Sequence, residues 1–204
     1  MTYKITVCGP RDRLPSHAED HAENFAEVLH SAFSRGIYQE GFVLATGGVM
    51  GFPSILARAV RERSLKYGLN IPIHTYTPAV NESEWDEYQK KGLFPERELF
   101  DQIHWSPDEG DLVYRALRRI PLFLKGSSKN ICYLDGPGNT HLEVLSSISL
   151  NIPTLCFTDF NRGSEEYKNS YNELVKDRAN IQIYRCLEEV IVQEFGHNSL
   201  GLLG

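Results

Sequence analysis

Cysteine is scarce in this chain, and no two cysteines stand close enough in sequence to form a metal-binding or redox pair. The four, Cys8, Cys132, Cys156 and Cys186, each sit in or beside a short apolar run. Without a C-x-x-C, zinc-ribbon and thioredoxin-type readings fall away, and buried thiols in a reducing compartment are expected. Long hydrophobic runs are also missing. No stretch approaches the ~20 residues required to span a bilayer, and Met1-Thr2-Tyr3-Lys4 leads straight into a strand-like run with no signal-peptide core. A cytoplasmic chain with no membrane partner is the expectation. A basic excess is lacking too: 21 Lys+Arg face 27 Asp+Glu, a formal charge of −6. Binding a nucleic-acid polymer relies on neutralising many phosphates, so that class of partner is not expected. A small anion is a different matter, because a few arginines and backbone amides create a local positive site.

Several catalytic signatures are absent as well. The seven histidines (His17, His21, His30, His74, His104, His141 and His197) form no H-E-x-x-H. His17 and His21 stand four apart, a spacing that reads as a solvated helix face rather than a metal site. No G-x-S-x-G elbow supports serine hydrolysis, and no G-x-G-x-x-G follows the first strand. Neither a metal nor an organic cofactor is implied.

What is present is an alternation. At 204 residues, 41% hydrophobic and 24% charged, the chain has the size and composition of one domain spanning 1–204. Short β-rich runs recur at Ile5–Cys8, Phe42–Ala45, Ile71–Tyr76, Ile131–Leu134, Thr154–Phe157 and Ile181–Tyr184. Several are continuously apolar, as strands covered on both faces are. Between them lie helical patterns at His21–Phe33, Ile55–Leu65 and Leu142–Leu150, with apolar residues three and four apart. The expectation is an α/β chain with a three-layer Rossmann-like fold and a mostly parallel, doubly wound sheet.

One segment breaks the rhythm. Pro78 to Asp101 is polar and aromatic and too long for an ordinary connection. It reads as an excursion over the ligand end of the sheet, a lid or else a surface ornament, ending at a strand candidate over Gln102–Trp105. Ser106-Pro107-Asp108-Glu109 then resembles a capping box with Pro at the first helical position, predicting a helix from there to about Lys125.

Three glycine-containing turns each follow a predicted strand and precede a helix: Gly9-Pro10-Arg11, Thr46-Gly47-Gly48-Val49-Met50-Gly51, and Asp135-Gly136-Pro137-Gly138-Asn139-Thr140. In a parallel sheet such turns share the carboxyl edge, where these folds bind ligands. Glycine lets the backbone approach a phosphate, and the helix that follows offers free N–H groups and its positive end. Three converging turns predict a nucleotide or sugar-phosphate site. Arg11 is a phosphate candidate, His141 lies close enough to touch a base or phosphate, and Phe52 or Trp105 are candidates to stack on a purine.

The second and third turns resemble those of a known family. Thr46-Gly47-Gly48-Val49-Met50-Gly51 with Leu56-Ala57-Arg58-Ala59 is similar to the glycine-rich turn of LOG proteins, and Asp135 to Glu143 resembles their PGGxGTxxE signature. LOG proteins are phosphoribohydrolases of the wider SLOG superfamily, often labelled lysine decarboxylases. The resemblance covers roughly residues 4 to 158. It implies that Glu143 and an arginine of the preceding helix act together at the ribose. By spacing that arginine is Arg119, with Arg115 one turn earlier on the same face and Arg118 less well placed. Arginine holds a phosphate bidentately, and a carboxylate stabilises the cationic centre formed when an N-glycosidic bond breaks. The chain departs from the signature at Asp135, Pro137 and Asn139. Pro137 removes an N–H from the turn, and Asp135 brings a second carboxylate.

The resemblance implies a hydrolase of the N-glycosidic bond of a nucleotide or nucleoside derivative, without cofactor. Its catalytic residues would be Glu143 and Arg119. Its ligand would lie among Gly9, Arg11, Thr46, Gly47, Gly48, Met50, Arg115, Asp135, Gly136, Gly138, Asn139 and Thr140. The alternatives are a non-catalytic SLOG sensor of an ADP-ribose-like nucleotide and an enzyme like the nucleoside 2-deoxyribosyltransferases, which use paired acids. A third reading is an α/β partner protein with a vestigial pocket. A homodimer or larger homo-oligomer is implied by resemblance alone.

Overall fold

The computed structural model describes residues 3–11, 14, 17–36, 41–107, 109–134, 139–157, 180–184 and 187–195. Among the described residues, seven strands and six helices follow in the order β1 (Tyr3–Cys8), α1 (Ala18–Ser34), β2 (Phe42–Thr46), α2 (Phe52–Tyr67), β3 (Ile73–Tyr76), α3 (Glu82–Lys90), a 3-10 turn (Arg97–Leu99), β4 (Gln102–His104), α4 (Leu112–Leu124), β5 (Lys129–Tyr133), α5 (Asn139–Ser149), β6 (Thr154–Phe157), β7 (Ile181–Tyr184) and α6 (Leu187–Phe195). The sheet order is β4-β3-β2-β1-β5-β6-β7, and all neighbouring strands run parallel. From β1 the chain moves outward to β4, then returns to lay β5 on the other side of β1. The crevice between β1 and β5 is therefore the switch point at which such sheets hold ligands.

Alternation along each strand divides the interior into two layers. Ile5, Val7, Leu44, Ile73, Ile131, Tyr133, Leu155 and Phe157 pack on one face with Phe25 and Leu29 of α1, Leu56 and Val60 of α2 and Val190 of α6. On the other face Cys8, Cys132 and Cys156 meet Val144 of α5, while Ala45 lies under Ile120, Phe123 and Leu124 of α4. The three thiols are free and buried, and they sit in register on adjacent strands. Cys186, and the sequence beyond Phe195 with His197, lie outside the described residues.

One expectation is corrected. The helix predicted from Ser106 begins instead at Leu112, with the Asp111 side chain accepting from the Tyr114 N–H at 2.8 Å. Gly110, at φ +120, is not helical, and the Asp that follows it takes the cap. The excursion over 78–101 carries the helix α3 and an aromatic cluster. Asn81 caps α3 through the Glu84 N–H, and Trp85 is fully buried, edge-on to Phe94, Phe100 and Trp105, donating to the Pro95 carbonyl. Burying an indole of roughly 200 Å² contributes about 5 kcal/mol before entropy is subtracted, enough to fix a nine-residue helix to the domain.

Candidate active site

Parallel strands bring the carboxyl ends of β1, β2 and β5 to one edge of the sheet. The Pro10 carbonyl of the first turn accepts from the Phe52 N–H at 3.0 Å, which joins that turn to the start of α2. The Met50 N–H of the second donates to the Leu93 carbonyl at 2.9 Å, fixing it to the excursion. Gly48 holds φ +64, a left-handed conformation that a side chain resists, and a Cβ there would lie 2.8 Å from Thr75 Oγ1. At Gly47 a Cβ would lie 2.8 Å from Arg119 Nη1. The guanidinium thus rests against bare backbone.

Arg119 comes from α4 and Glu143 from the first turns of α5, the helix that follows the switch-point strand β5. Both are buried, at 4% and 5% exposure. Arg119 Nη2 stands 3.8 Å from Glu143 Oε1, an ion pair too long for a hydrogen bond. Nη1 donates to the Tyr76 carbonyl at 3.4 Å, and Nε has no partner. Burial pushes the Glu143 carboxyl up to about 7, against the smaller opposing pulls of Arg119 and the Cys8 thiol. Burial likewise works against the Arg119 charge. The site therefore contains a guanidinium with an unpartnered Nε–H beside a carboxyl that exchanges its proton near neutrality, the condition in which an acid or base is most useful.

A buried polar chain fixes α5 in place. Thr6 Oγ1 donates to Asn130 Oδ1 at 2.9 Å, Asn130 Nδ2 to Ser147 Oγ at 2.7 Å, and Ser147 Oγ to the Glu143 carbonyl at 2.9 Å. Strands β1 and β5 are thereby coupled to the residue that carries the acid.

Of the residues expected at the site, Arg119, Glu143, Gly47, Gly48 and Thr46 are placed at this edge, and Thr140 is buried one turn before Glu143. Asn139 opens α5. Asp135, Gly136, Pro137 and Gly138 lie outside the described residues. Arg115 is buried but committed elsewhere: its two terminal nitrogens bond both oxygens of Glu84 at 2.7 and 2.5 Å. That contact holds the Glu84 carboxyl below its usual range and clasps α4 to α3. Arg11 and Arg118 are exposed. Gly9 lies beneath Phe52, whose ring would be 2.9 Å from a Cβ there. Phe52 itself is enclosed edge-on by Tyr133 and Phe157 and presents no face to a purine. Trp105 is half-buried against Trp85. His17 is exposed beside Asp20, while His21 packs on Tyr133 and Phe157, so the two do not face a common point. His141 is half-buried on α5.

Three residues here escaped the sequence reading. Glu84 belongs to the excursion and pairs with Arg115 across 31 positions. Cys8 closes β1 next to Glu143, and Thr75, next to last on β3, has a buried, unpartnered hydroxyl, as has Thr46 at the end of β2. No motif in the sequence marks Thr75.

The doubly wound parallel sheet, with a buried arginine and carboxyl at the edge beside its switch point, defines a Rossmann-like α/β protein. Solved structures give the same fold. The molybdenum cofactor binding protein from the phototrophic bacterium Rippkaea orientalis is similar with a TM-score of 0.65 at 14% identity, over 95% of each chain. The molybdenum cofactor carrier protein from Chlamydomonas reinhardtii is similar with a TM-score of 0.63 at 14% identity, over 100% of this chain and 99% of that one. No protein-family model and no curated protein matches the sequence. Among the described residues no helix is long and apolar enough to cross a membrane, and no group of three His, Cys, Asp or Glu side chains is arranged to hold a metal ion.

Proposed function

We propose that this chain hydrolyses the N-glycosidic bond of a nucleotide or nucleoside derivative held at the carboxyl edge of its sheet. The observation that carries the reading is the Arg119–Glu143 pair. Its members are buried and 3.8 Å apart, and Arg119 Nε is left without a partner. A buried guanidinium lacking full partners is costly alone and gains from an anion or a polar hydroxyl brought to it. In this reading Arg119 anchors the ligand and Glu143 faces the ribose. As the bond to the base breaks, electrons leave with the base, positive charge grows at the sugar carbon, and ionised Glu143 stabilises it. Water then adds at that carbon, giving up a proton while the departing base gains one. The reading also makes the protein cytoplasmic, and a homo-oligomer as the LOG resemblance implies.

A second reading is that of a carrier or sensor that binds a phosphorylated heterocycle without turnover. It is favoured by the likeness to a cofactor binding protein and a cofactor carrier over at least 95% of the chain, and by the proline and aspartate that alter the third turn. One screen separates the two. Purified protein is incubated with AMP, other nucleoside monophosphates, deoxynucleosides, NAD and ADP-ribose, and free base is measured by chromatography. Hydrolysis predicts release from one of them, reduced at least ~100-fold in Glu143→Gln. A compound that raises the melting temperature without releasing base supports the carrier or sensor instead.

A further inference from the structure

A lysine stands inside the central strand of the sheet. Lys4 of β1 is 6% exposed, and Ile5 and Val7 further along the strand are apolar and buried. Among the described residues no carboxylate meets its ammonium, which neutral groups alone hold. Nζ donates to the Phe123 carbonyl at 2.6 Å, the Lys125 carbonyl at 3.2 Å and the Tyr76 hydroxyl at 3.1 Å. It also lies 4.3 Å from the centre of the Tyr76 ring. Burial without a counter-charge lowers its pKa to about 8. An apolar side chain of the same length, such as methionine, would fill this space without burying a charge. The other titratable groups that face Lys4 are His74 of β3 and His104 of β4. Burial lowers the pKa of each, and the Lys4 charge lowers it further.

The groups that Lys4 holds are the supports of Arg119. Phe123 and Lys125 lie at the end of α4, where carbonyls lack partners within the helix and a cation is favoured. Phe123 stands one turn after Arg119, on the same side of that helix. Tyr76 ends β3, and its carbonyl accepts from Arg119 Nη1 at 3.4 Å. The peptide bearing that carbonyl is fixed from its other side, because the Thr77 N–H donates to the His104 carbonyl at 3.0 Å. The Tyr76 ring in turn stacks on His104 at 4.2 Å. Both the helix that carries the guanidinium and the carbonyl it bonds therefore lead back to one ammonium. We infer that Lys4 is the positioning residue of Arg119, holding the last turn of α4 and Tyr76 so that the guanidinium faces Glu143. The inference rests on the reading in which Arg119 and Glu143 work as a pair.

The full-length chain, labelled with carbon-13 at the glutamate carboxyls and nitrogen-15 at the arginines, is titrated by NMR. Loss of a signal in Glu143→Gln assigns that carboxyl, and Arg119→Lys assigns the Arg119 Nε–H. Among the described residues, the side chains acting on Glu143 are Arg119 and Cys8, so Lys4 reaches it through Arg119. Wild type is expected to titrate near 7 at Glu143. In Lys4→Met the guanidinium is released from its position and pulls less on the carboxyl, so the midpoint is expected to rise by about one pH unit. Solvent exchange of the Arg119 Nε–H is expected to quicken at least ~10-fold. Should Lys4→Met fail to fold, Tyr76→Phe takes one acceptor from Lys4, keeps the ring, and is expected to shift both readings the same way. A folded variant of lower stability with both readings unchanged overturns the inference and leaves Lys4 as a cap of α4 alone. Neither reading involves turnover. Absence of base release from every nucleotide therefore counts against the proposed hydrolysis and not against the role of Lys4.

Discussion

Glu143 is the residue at which burial and chemistry meet. An exposed glutamate titrates near 4.5, and this one is held near 7 chiefly by burial. Between those values the folded chain keeps a proton that the unfolded chain has released. Unfolding free energy therefore falls as pH rises through that window, and the loss is complete above about pH 7. A displacement of this size corresponds to about 3 kcal/mol. Glutamine at the same position has no proton to lose. Glu143→Gln is thus expected to lose about 3 kcal/mol less stability than wild type between pH 5 and pH 8, as measured by urea unfolding at the two pH values. Parallel pH profiles would show that the carboxyl titrates as an exposed group. Comparing slopes rather than absolute stabilities removes the separate effect of leaving Arg119 without its counter-charge.

The elements themselves differ in how legible they were. All seven strands lie where short β-rich runs predict them, because a strand covered on both faces can tolerate few polar side chains, and the helices of the α1 and α2 layer follow their apolar spacing. The start of α4 was misread because two cap-type residues precede it, and only the backbone at Gly110 decides between Ser106 and Asp111. The helix inside the excursion was hidden because Trp85 is the only buried residue on it, too few for a periodic signal. At the site, the family resemblance picked out Arg119 and Glu143. Nothing in the sequence pattern marks Asn130, which stands just before the apolar run Ile131–Leu134 yet joins β1 and β5 to α5. Asn130→Ala is expected to take one partner each from Thr6 and Ser147, which keep the Lys129 and Glu143 carbonyls, and to cost about 2 kcal/mol, read by chemical denaturation. It is also expected to loosen α5, seen as faster amide exchange around Glu143. A loss of stability with unchanged exchange there would reduce Asn130 to a local core contact.

Across the whole molecule, the charge of −6 and the proposed anionic ligand pull in opposite directions. The acidic surface repels a nucleotide at long range, and salt screens that repulsion over roughly 10 Å at 0.1 M. The attraction is expected from Arg119, which is 4% exposed and so is little affected by dissolved ions. Screening then removes the unfavourable part and spares the favourable one. The affinity of whichever nucleotide binds is expected to hold steady or rise between low and moderate salt, the reverse of a protein that binds phosphates with surface lysines and arginines. Isothermal titration at about 50 and 300 mM NaCl reads this directly, with a change of no more than about twofold expected. A tenfold fall in affinity would shift the anchoring charge from Arg119 to exposed cations such as Arg11. It would also take from the buried pair the role on which the proposed chemistry depends.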